Sequence, residues 1–107
     1  MTDHDQITVT APRELPLSAD TVLSRLSARM WQTAGQVADD LRQCGPLAFA
    51  GGDAEYRAFH LSSPKRQYDR VYRILLALRS AGRADCVLGD DKGNEVRVFR
   101  LFPDAGK

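Results

Sequence analysis

Arg66, Arg70 and Arg73 recur at steps of four and three residues, with Lys65 and Gln67 beside the first of them. On a helix that spacing lines the three guanidinium groups along one side. An arginine fork matches phosphate oxygens and the O6/N7 edge of guanine alike, so a row of them suits a polyanion. Gln67 either offers adenine a matching donor and acceptor or is a plain surface residue. Asp69 is the one carboxylate within residues 57–83, against seven basic side chains. Such a one-signed block either faces an anion or is the solvated face of a helix. The flanks run the other way: residues 1–56 hold eight acidic groups against four arginines, and the whole chain carries a formal charge of +1.

The remaining chemistry-bearing residues form no constellation. His4 and His60 have no second ligand at a metal-like spacing, so each reads as structural or exposed. Ser62 and Ser63 have no base nearby in sequence and read as helix caps. Gly51-Gly52 lacks the following helix and lysine of a phosphate loop. Phe59, Phe99 and Phe102 read as core-filling strand residues, with base stacking as the alternative. Trp31 reads as a core anchor at a helix end, or else as an anchor for a partner. Cys44 and Cys86 form no C-x-x-C, which points to reduced thiols in a cytoplasm. No enzyme activity, cofactor or metal is therefore expected.

A chain of 107 residues, 43% apolar and 27% charged, is of the size and composition of one globular domain. No apolar run approaches the roughly 20 residues of a membrane span. Residues 1–17, with Ile7-Thr8-Val9-Thr10 and two prolines, read as an edge strand or an arm. The domain proper is expected over 18–102, with 103–107 as a tail. Ser18 is placed to cap a first helix whose apolar side is Val22, Leu23, Leu26 and Met30. Thr33-Ala34-Gly35-Gln36 has the form of a capping box, predicting a helix over 34–44 with Val37, Ala38 and Leu41 inward and Gly45 as its stop. Ser63, Pro64 and Gly82 bracket a third helix over 64–81, with Tyr68, Val71, Tyr72, Leu75 and Leu78 inward and the arginines outward. Residues 86–88 and 96–101 then read as a hairpin about a turn at 89–94. Glu55-Tyr56-Arg57-Ala58-Phe59-His60-Leu61 resembles Glu95-Val96-Arg97-Val98-Phe99-Arg100-Leu101. That match predicts a second hairpin over 46–61 and a possible helix–hairpin repeat.

The segment 33–41 resembles the second helix of a helix-turn-helix, 71–83 a recognition helix entering a wing, and 86–101 the wing. Together they are similar to the winged helix-turn-helix group of DNA-binding proteins. Residues 45–63 stand as an insertion where that group has a short turn. The resemblance implies an α+β, winged-helix-like fold. It further implies groove contacts from Lys65, Arg66, Gln67, Arg70 and Arg73, and a wing contact from Lys92. The expectation is a small regulator that binds double-stranded DNA. The alternative is an adaptor or inhibitor that docks an acidic protein through the same arginines or a sheet edge.

Overall fold

The computed structural model describes residues 15–102. Within them α1 (Ala19–Leu23), β1 (Gln32–Thr33), α2 (Ala34–Arg42), α3 (Gly52–His60), α4 (Pro64–Ser80), β2 (Ala84–Asp91) and β3 (Asn94–Leu101) follow in order. A single 3-10 turn over Pro46–Ala48 precedes α3. The strands form one antiparallel sheet in the order β1-β3-β2. The molecule is thus mixed α+β, an arrangement compatible with a winged-helix-like fold.

Local signals account for most of these elements. Ser18 caps α1, and Ser63 caps α4 by accepting from the Arg66 amide at 3.2 Å. Both halves of the capping box at α2 are present: Thr33 Oγ1 accepts from the Gln36 amide at 3.1 Å, and Gln36 Oε1 from the Thr33 amide at 2.8 Å. Pro64 opens α4, and Gly82 closes it in the left-handed region at φ 75°. The hairpin is tighter than the glycine- and aspartate-rich stretch 89–94 suggests. The strands pair down to Asp91↔Asn94 and turn on Lys92 and Gly93 alone, at φ 54° and 85°. Two positive φ values in a two-residue loop match the twist of the strands they join.

The core lies where α1, α2 and α4 meet the inner face of the sheet, with α2 packed against α4. Val22, Val37, Leu41, Phe59, Val71, Leu75 and Phe99 are wholly buried there. Leu15 and Leu17 are buried too, so the chain just ahead of α1 belongs to this core and not to an arm. Ile7–Thr10, His4 and the tail after 102 lie outside the described residues. Among the described residues, no helix is long and apolar enough to cross a membrane.

Several expectations are corrected. Residues 52–60 are helical, so the second hairpin does not form and no helix–hairpin repeat is seen. The cause is readable in the charges. Asp53 and Glu55 sit in the first turn of α3, Arg57 and His60 in its last, and Asp53 pairs with Arg57 four residues on at 2.9 Å. That order favours a helix through its dipole and its side-chain pairs. The matched strand has β-branched Val96 and Val98, where α3 has Tyr56 and Ala58, and alanine favours the helix. Phe59 reaches the core as expected, but from a helix. Gly45 keeps a negative φ of −88° and precedes the 3-10 turn instead of ending α2. α1 stops at Leu23, which leaves Met30 outside it and exposed.

Candidate nucleic-acid interface

α4 positions the site. Seventeen residues make a rod of about 25 Å, buried along Gln67, Val71, Ile74, Leu75 and Leu78. Its opposite side presents Lys65, Arg66, Asp69 and Arg73 to solvent. Lys65 Nζ lies 2.8 Å from Asp69 Oδ2, one turn along. The basic residues that remain on this side are thus carried by one rigid element and set by its pitch.

Two of the expected contacts are elsewhere. Gln67 is 3% exposed. Its amide donates to the Phe59 carbonyl at 2.7 Å and its oxygen accepts from Arg42 at 2.5 Å. It joins α2, α3 and α4 and does not reach a groove. Arg70 is half-buried and turns to the chain before α1. Its Nε donates to the Leu15 carbonyl at 2.9 Å and a terminal nitrogen to that of Leu17 at 3.4 Å. Its position on the helical wheel, between the buried and exposed sides, makes that turn possible. Lys92 stands at the hairpin tip as expected, but Asp90, Asp91 and Glu95 surround it in sequence and make the tip net acidic.

A groove of about 490 Å³ separates α4 from the hairpin. Tyr68 and Tyr72 of α4 form one wall, Leu88, Val96 and Arg97 another, and the opening turn of α2 the end. Asp91 and Glu95 stand at the hairpin side. The helical spacing predicts Tyr68 inward, yet it is 44% exposed and lies parallel to Tyr72, with ring centroids 6.0 Å apart. Tyr72 meets Phe99 edge-on at 6.2 Å, which fixes it to the core. The Arg97 guanidinium is held above its ordinary pKa by a hydrogen bond to the Cys86 sulfur, then by the neighbouring Tyr72. Sequence reasoning passes over Arg97, although a signal is present. On β3 it shares a face with Phe99 and Leu101, two residues beyond the last core contact.

The other candidates are structural in their contacts. His60 lies between the Tyr56 and Arg42 carbonyls, at 3.0 and 3.1 Å, and packs among Phe49, Tyr56 and Phe59. Ser62 donates to the Ala58 carbonyl at 2.8 Å. Trp31 immediately precedes β1 and is 36% exposed, with the Arg100 guanidinium 4.4 Å from its ring. Cys44 follows the end of α2 and Cys86 lies within β2, as expected. Among the described residues no cluster of three metal-ligating side chains occurs.

The chain was compared with models of known protein families, with curated proteins and with solved structures, and none of the three comparisons finds a match.

Proposed function

We propose that this chain is a small DNA-binding regulator of winged-helix type, which lays the exposed side of α4 against duplex DNA. The observation that carries this reading is the placement of Lys65, Arg66 and Arg73 on the side of α4 away from α1, α2 and the sheet. A basic helix face next to a two-stranded hairpin fits the major groove and the adjoining backbone. Lys92 is the hairpin's contribution, and Gln67 and Arg70 serve the fold behind it. A protein partner is the second reading, favoured by the acidic tip and by exposed Val87 and Leu88 on β2.

Fluorescence anisotropy with a labelled random duplex at about 50 mM salt tests the proposal, since nonspecific contacts register there. Replacing Arg66 and Arg73 together by Ala is expected to weaken binding at least tenfold. Arg57→Ala, on exposed α3, should leave it unchanged, and melting curves of each variant report on folding. No binding by the native chain, or equal loss in both variants, sinks the proposal.

A further inference from the structure

We infer that the groove between α4 and the hairpin receives an unpaired base, so that the preferred ligand is DNA at a duplex-to-single-strand boundary. This rests on the DNA-binding reading and narrows it. Tyr68 offers a half-exposed aromatic face, and its parallel neighbour Tyr72 is braced on Phe99. A base inside a continuous duplex is already stacked on both sides and cannot use such a face. An unpaired base can, and stacking on aromatic side chains is how single strands are gripped.

The charged groups around the groove point the same way. Asp91 and Glu95 border it on the hairpin side. Carboxylates repel a phosphate backbone, but they accept from exocyclic amino groups such as cytosine N4. Arg97 lines the same groove, and its guanidinium suits the phosphate next to an inserted base. Stacking face, amino-group acceptors and one cation within about 490 Å³ describe a nucleotide better than a stretch of backbone. That volume is in the range of small-ligand clefts, about 300–1,000 Å³. Lys65, Arg66 and Arg73 then hold the paired part of the same molecule.

The test compares a blunt duplex with the same duplex carrying a short cytosine-containing overhang, by anisotropy at about 50 mM salt. The overhang is expected to tighten binding about 5- to 150-fold, the range one stacked base supplies. Tyr68→Ala should bring the tailed duplex down to the blunt level and leave the blunt duplex unaffected, whereas Tyr68→Phe should keep the advantage. A blunt duplex bound as tightly as the tailed one overturns this inference and leaves the DNA-binding reading standing. So does a Tyr68→Ala variant that weakens both equally. Binding of neither DNA overturns both readings, as does preference for a lysine-rich peptide drawn by Asp91 and Glu95. Melting temperatures of the Tyr68 variants, expected within a few degrees of the native chain, show that the fold is retained.

Discussion

At the scale of single residues, Glu55 ties the start of α1 to the start of α3. Its carboxylate is 5% exposed and accepts from the Ser18 amide and Thr21 Oγ1, each at 2.8 Å, and from the Gly51 amide. Thr21 Oγ1 in turn accepts from the Ala50 amide at 2.9 Å. Two donors from the distant segment 18–21 and one from the start of its own helix converge on one buried carboxylate. Glu55→Ala leaves them without it, and is expected to cost about 2–4 kcal/mol in chemical denaturation, the range for charged hydrogen bonds left unmade. Gly51 completes the junction, because a Cβ there would stand 2.6 Å from Glu55 Oε1. Gly51→Ala should therefore destabilise by about 1–3 kcal/mol, as overpacking does. The loss should shrink when Glu55→Ala is already present, and a double-mutant cycle measures the difference. Arg70→Ala belongs at this scale as well. Its bonds to Leu15 and Leu17 predict about 1–3 kcal/mol of lost stability. The slope of duplex affinity against salt should move little.

At the scale of elements, the caps can be tested individually. Thr33→Ala removes one arm of the capping box and should cost about 1 kcal/mol, read from the denaturation midpoint. Since Thr33 also borders the groove, Gln36→Ala serves as the companion change on the far side of the same box. What is legible in the sequence follows from capping chemistry and long periodicities. Ser18, Thr33, Ser63, Pro64 and Gly82 all mark the element ends they are expected to mark. What misleads is short. Within the nine residues of α3 only Glu55 and Phe59 are buried, and so brief a stretch alternates in hydropathy well enough to pass for a strand. Its dipole-ordered charges are the better guide. The site is half legible. Lys65, Arg66 and Arg73 are exposed as the wheel requires, but the wheel cannot say which flank of α4 another segment covers. Gln67 and Arg70 are taken up by α3 and by residues 15–17, whose positions depend on contacts far away in sequence. Tyr68 passes for a core residue because its spacing matches the apolar stripe, which the hairpin does not extend far enough to cover.

At the scale of the whole molecule, charge is sorted by surface. The exposed side of α4 is basic, whereas the hairpin tip carries Asp90, Asp91 and Glu95 against Lys92. Electrostatic attraction to a polyanion is then directional, and orientation is selected before contact. If Lys65, Arg66, Arg73 and Lys92 meet phosphates, log affinity for duplex against log salt should fall with a slope of about −3 to −4. On the proposed reading, a Glu95→Gln variant should strengthen blunt-duplex binding at low salt, because it removes a negative charge from the acidic hairpin tip.

The Glu55 junction also has a consequence for the order in which the chain assembles. Its donors lie 34 and 37 residues away, at Thr21 and Ser18. The carboxylate can leave water without penalty only when both segments have already met. Early collapse around Val71, Leu75 and Phe99 gains nothing from it. Burial of this group is therefore expected to follow the rate-limiting barrier. Weakening it should speed unfolding and leave the refolding limb of the chevron nearly unmoved. In that respect α3 acts as a clasp that closes last, and it sets how long the finished molecule stays folded more than how fast it gets there.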